Sequence, residues 1–89
     1  MYGYENVDEQ VAVLIGFDPS KKPMIQPFKI RWHNKDYVIT KVAHYYRYKA
    51  GRAIMHVVTV TDGTNFFELQ CESETLVWKL NRVGDNETH

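Results

Sequence analysis

The chain predicts an all-β fold, about six strands in an antiparallel meander curled into a small, partly open barrel. Three observations carry this. Period-two alternation of apolar and polar residues recurs between turn signals, and no segment sustains helical periodicity. Tyr, Phe and Trp, which favour strands, make up 13% of the residues. With 89 residues, one domain with a single modest core is expected, residues 1–9 and 84–89 fraying at its ends.

The first predicted strand is Gln10–Phe17, stopped by Asp18-Pro19-Ser20 and the polar loop Lys21–Pro23. A short helix over Val7–Val13 is the alternative, because alternation there is poor. In the second strand Phe28, Ile30 and Trp32 alternate with Lys29, Arg31 and His33, giving one apolar and one basic face. His33-Asn34 reads as a two-residue turn, since Asn tolerates positive φ. That turn sets Ile30 opposite Tyr37, Phe28 opposite Ile39 on the buried side, and Arg31 opposite Asp36 on the wet side. The third strand would run from Asp36 to about Tyr48, with a bulge or bend near Thr40–Lys41 where its apolar phase changes.

Lys49–Arg52 is the next turn, followed by a strand over Ala53–Thr61. Asp62-Gly63 is the strongest turn signal, and a type I′ turn there pairs Val58 with Phe67, Val60 with Asn65 and His56 with Leu69. Ile54, Val58, Val60, Phe67, Leu69 and Cys71 then line the core. The last strand, Thr75–Val83, adds Leu76, Trp78 and Leu80 by the same alternation, and Trp32 and Trp78 are expected to anchor the interior.

Charge is distributed unevenly within a formally neutral chain. Nine of the eleven basic residues lie between Lys21 and Arg52, where Asp36 is the only acid, giving that stretch a net charge of +8. The one cysteine, Cys71, excludes an internal disulfide. No apolar run approaches a membrane span and the N-terminus lacks a basic, apolar leader, so a cytoplasmic location with no membrane partner is the default expectation.

Pro27-Phe28-Lys-Ile30-Arg-Trp32, Tyr37-Val38 with Val42, Phe67-Glu68-Leu69 and Trp78-Lys-Leu80-Asn-Arg82-Val83 together resemble a family of short bacterial all-β domains of unknown function. The resemblance covers about residues 24–84. Members have Gly flanked by Arg where this chain has His33-Asn34-Lys35, and Trp at the Tyr45-Tyr46 position. The family has no established activity. The resemblance therefore implies fold and localisation, and the position of some relatives near genes for error-prone DNA polymerases leans the expected partner toward nucleic acid.

The basic hairpin supplies the functional reading. Lys29, Arg31, His33 and Lys35, with Lys41, Arg47, Lys49 and Arg52 along the next strand and turn, would neutralise phosphates while Tyr45, Tyr46 or Tyr48 stacks on unpaired bases. The expectation is a non-enzymatic binding module for single-stranded nucleic acid. The competing structural reading has these cations solvate a sheet face and pair with Glu68, Glu72 and Glu74. A protein-interaction or homodimerisation module working through a sheet edge is the functional alternative.

No cofactor or metal is expected. His33, His44 and His56 form no short-spaced ligand pair, and His56, on the core face, reads as a histidine hydrogen-bonded to a neighbour. Cys71 beside Glu72 would have its thiol pKa raised, contrary to a nucleophile's needs. No glycine-rich phosphate loop or nucleophile elbow is present.

Overall fold

A computed structural model describes residues 4–22 and 24–85. Eight strands form: β1 (Tyr4–Gln10), β2 (Ala12–Phe17), β3 (Ile25–Trp32), β4 (Lys35–Val38), β5 (Lys41–Ala50), β6 (Ala53–Thr61), β7 (Asn65–Glu72) and β8 (Trp78–Asp85). The all-β, antiparallel expectation holds. The strands number eight rather than six, however, and make two sheets rather than one curled sheet: five strands in the order β1-β8-β7-β6-β5, and three in the order β2-β3-β4. Among the described residues no helix is long and apolar enough to cross a membrane.

Two predicted strands break where the chain changes sheet. The expected Gln10–Phe17 strand splits at Val11, with β1 on one sheet and β2 on the other. Tyr4–Gln10 thus pairs along β8 instead of fraying, and the alternative helix does not form. Poor alternation over Val7–Val13 is explained by Asp8, at φ 57°, where the β1–β8 register shifts. The long Asp36–Tyr48 strand likewise splits at Ile39-Thr40, a change of sheet rather than a bend. Both crossings are tied by backbone bonds: Val11 N–H donates to the Trp78 carbonyl at 3.1 Å, and Thr40 N–H to the Thr61 carbonyl at 2.8 Å. At the C-terminal end, Gly84 and Asp85 close β8; residues 86–89 of the expected frayed tail lie outside the described residues.

The hairpin β3–β4 turns as predicted. His33 and Asn34 sit at φ 54° and 62°, the type I′ signature, and Ile30 faces Tyr37 while Arg31 faces Asp36. Phe28 departs from expectation. Leu14 pairs with Lys29 and Ile15 with Pro27, so Phe28 is the extra residue of a bulge, and its ring is 52% exposed instead of buried. A Cβ on Gly16 would collide with that ring, so glycine lets Phe28 lie over the outer face of β2. Pro27, lacking an N–H, sits beside this bulge, where β4 has already ended.

The Asp62-Gly63 turn is two residues wider than predicted. Val60 pairs with Phe67, Val58 with Leu69 and His56 with Cys71, not Asn65, Phe67 and Leu69. The cause is Asp62 itself: its Oδ1 accepts the N–H groups of Thr64 at 2.9 Å and Asn65 at 2.8 Å, so Asp62 precedes the tight turn rather than sitting at its apex. A shift of two preserves side-chain faces, and the core residues stay inside.

That core joins the sheets. Ile30 from the small sheet packs with Val58, Val60, Phe67, Leu69 and Leu80 from the large one, all at most 2% exposed. Trp32 and Trp78 are half-buried at the rim of this cluster, not at its centre, and Leu76, expected inside, is exposed at φ 57° in the β7–β8 loop. Ile54 is half-buried.

Leu69→Ala is expected to cost about 2–5 kcal/mol in chemical denaturation, against under about 1 kcal/mol for Leu76→Ala. At the hairpin, Asn34→Val should lose about 1–2 kcal/mol while Asn34→Gly leaves the midpoint nearly unchanged, because only the former opposes a left-handed backbone.

Candidate nucleic-acid interface

The cations predicted to share one surface are divided by the two sheets. Successive strand residues point to opposite faces, so each register fixes which side chains lie together. On the small sheet, Lys29 and Arg31 face outward and converge on Asp36, at 3.9 Å and 2.9 Å. His33 stacks on Trp32 with ring centres 4.5 Å apart, and its Nε2 lies 3.3 Å from Glu9, which also accepts the Trp32 indole N–H at 3.2 Å. Lys35 sits 5.2 Å over the Tyr37 ring. Each candidate of the β3–β4 hairpin is thus held by a local partner, in exposed contacts worth about 0–1 kcal/mol apiece.

The candidates after Thr40 belong to the other sheet. Ala43 is the extra residue of a bulge between Val42 and His44, and it resets the alternation of β5. Tyr45 and Arg47 therefore turn to the inner face, opposite Val58 and His56. The Tyr45 hydroxyl lies 2.8 Å from His56 Nδ1, which gives His56 the hydrogen-bonded role expected of it and removes Tyr45 from any outer surface.

His44, Tyr46 and Tyr48 turn outward and form a ladder, with centroid spacings of 5.8 Å and 6.4 Å. Tyr46 and Tyr48 are 46% and 44% exposed. Lys41 lies on the ladder's face of β5 and Arg52 in the turn that follows, whereas Lys49 alternates to the inner side with Arg47. From Tyr37 to Thr61 there is no acid, and Lys41, Lys49 and Arg52 make no ion pair with any described residue. Thus Lys41, Tyr46, Tyr48 and Arg52 remain together, while Lys29, Arg31, His33 and Lys35 lie on the separate small sheet.

The ladder gains one member the sequence reading did not place there, His44. The i, i+2, i+4 spacing of His44, Tyr46 and Tyr48 was the available signal; assigning residues 36–48 to one strand concealed it. The ladder's strand is also an edge, because β5 pairs only with β6. The glutamates expected to neutralise the basic face do not reach it. Glu68 takes the Arg82 Nε–H at 3.0 Å and Asn81 at 3.1 Å, and Glu72 takes the Thr75 hydroxyl at 2.9 Å.

Among the described residues no three His, Cys, Asp or Glu side chains gather as a metal site. Cys71 is buried, and its thiol pKa is pushed up by burial first and by the charge of Glu72 second. Comparison of the chain with protein-family models, with curated proteins and with solved structures finds no match. The family resemblance rests on its short motifs alone.

Alkylation of Cys71 by iodoacetamide at pH 8 is expected to run at least roughly tenfold slower in the native protein than in denaturant. Because the folded thiol titrates above its ordinary range, its contribution to stability is intact below that range. Denaturation midpoints should therefore fall as pH rises through it.

Proposed function

We propose that this protein is a binding module that holds single-stranded nucleic acid along its β5 edge. The observation that carries this reading is the exposed His44–Tyr46–Tyr48 ladder beside cations that no described acid neutralises. Bases offer π-faces to such a ladder whatever their sequence, and stacking on one aromatic ring contributes about 1–3 kcal/mol. Lys41, on the ladder's face, and Arg52, in the adjoining turn, would follow the phosphates. An extended ten-residue strand, about 33 Å long, presents room for several nucleotides. The β3–β4 hairpin, central to the sequence expectation, contributes little here, since Asp36 engages Lys29 and Arg31, Glu9 meets the His33 ring and Lys35 lies over Tyr37.

Titration of a fluorescent oligothymidylate should show affinity falling linearly on a log–log salt plot, with a slope of about −1.4 for two phosphate contacts. Tyr46→Ala and Tyr48→Ala should each weaken binding by about 5- to 100-fold, whereas Arg31→Ala should leave it nearly unchanged. Binding that ignores salt, or that survives loss of both tyrosines, rejects the reading.

A second reading, self-association through a sheet edge, is favoured by one specific observation. The two outer strands of the five-stranded sheet carry opposite charge: Glu5, Asp8 and Glu9 on β1, and Lys41, Arg47 and Lys49 on β5. Head-to-tail pairing of β1 with β5 of a second copy would match these charges. Sedimentation should then show mass rising with protein concentration at low salt and reverting to monomer at high salt; a monomer under both conditions excludes it.

A further inference from the structure

The inner faces of the two sheets are not packed along their whole length. Beyond the core cluster they diverge, leaving a cleft of about 700 Å³ floored by Val58, Cys71 and Trp78. Phe17 and Ile25, from the ends of β2 and β3, form the facing wall, and Met24 and Leu76 stand at its mouth. Phe17, Met24 and Leu76 are 69%, 50% and 64% exposed, so apolar side chains rim an opening rather than cap it.

A bulge in β3 keeps one large ring off the inner face. An unbulged β3 would carry the alternation of Ile30 through Phe28 and turn that ring inward. The bulge sends Phe28 to the outer face over Gly16, and Pro27 and Ile25 take the inner positions with less bulk. The volume falls within the roughly 300–1,000 Å³ of small-molecule sites.

The polar groups on this cleft are of one sign. Lys21, Lys22 and Arg47 line it, with the Tyr45–His56 pair on one wall and no carboxylate among the lining residues. Glu72, between Cys71 and Ser73 of the lining, takes the Thr75 hydroxyl at 2.9 Å, and Asp18, between Phe17 and Pro19, is engaged by its own loop: its Oδ1 accepts the Ser20 hydroxyl at 2.7 Å and the Ser20 N–H at 3.0 Å. Those bonds hold its carboxyl below the usual range.

We propose that the cleft between the sheets binds an anionic amphiphile, its apolar portion against Val58, Trp78, Phe17 and Ile25 and its acidic head at Arg47 and the Lys21-Lys22 loop. A neutral ligand would leave the cations without a counter-charge, and a cationic one would meet repulsion at the mouth. This site is separate from the outward tyrosine ladder. Tyr45 and Arg47 alternate with Tyr46 and Tyr48 along β5, so one strand serves the two faces.

The test is a titration with sodium dodecanoate below its micelle concentration, following the intrinsic fluorescence to which Trp78 contributes, with dodecan-1-ol and dodecyltrimethylammonium as neutral and cationic counterparts. Saturation at one dodecanoate per chain is expected, with dodecanol at least tenfold weaker and the cation weaker still. Arg47→Gln should lower dodecanoate affinity five- to tenfold and leave dodecanol unaffected. Ile25→Trp, which fills the cleft, should abolish both, its thermal transition showing that the fold survives. Equal binding of the three amphiphiles, dodecanoate affinity unchanged in Arg47→Gln, or no saturable binding overturns the proposal.

Discussion

Contact between Ile30 of the small sheet and Val58, Val60, Phe67, Leu69 and Leu80 of the large one is the constraint on which the rest of the molecule depends. The small sheet has only three strands and exposes Leu14, Phe28 and Val38 on its outer face, while Val13, Trp32 and Tyr37 join Ile30 on its inner face, the Tyr37 ring 5.1 Å from that of Phe67. Burying a side chain such as Ile30 contributes about 1.5–3 kcal/mol, more than any exposed ion pair of the β3–β4 hairpin. The backbone bonds of Val11, Ile39 and Thr40 reinforce the contact where the chain passes between sheets. Strands β2 to β4 form an excursion between β1 and β5, clamped at both ends.

This arrangement organises the charges. A segment of net +8 would make one strongly cationic surface if its strands were neighbours. The crossing at Ile39-Thr40 separates them instead, and each half meets a different environment. The β3–β4 half acquires Asp36 and Glu9 as partners, and the β5 half stays unpaired at a sheet edge. The polyanion-binding reading therefore rests on fewer than half of the residues that composition alone would nominate. The bulge at Ala43 and the alternation after it then divide β5 again, turning Tyr46 and Tyr48 to the outer face and Tyr45 and Arg47 to the cleft.

Much of the fold was legible because its signals are local. His33-Asn34 demands a left-handed backbone, and that demand set the β3–β4 register. Alternation in β6 and β7 placed Val58, Val60, Phe67, Leu69 and Cys71 on one face, and a two-residue error at Asp62-Gly63 did no harm because the side-chain period is two. The candidate site was legible in kind but not in extent. Lysines, arginines and tyrosines can be counted in a sequence, but the bulge at Ala43 that decides which tyrosine turns outward has no such mark.

By itself, then, the sequence determined an antiparallel all-β chain, the turn at His33-Asn34, and the apolar face that becomes the interior. Each follows from the conformational preferences of neighbouring residues. Only the tertiary structure decided which strands share a sheet, and hence that Arg31 and Tyr46 lie on separate sheets while Arg47 and Phe17 border one cleft. Strand partners and bulges arise from contacts between residues distant along the chain, where two strands with the same alternation compete for the same buried face. The packing of Ile30 against the large sheet resolves that competition.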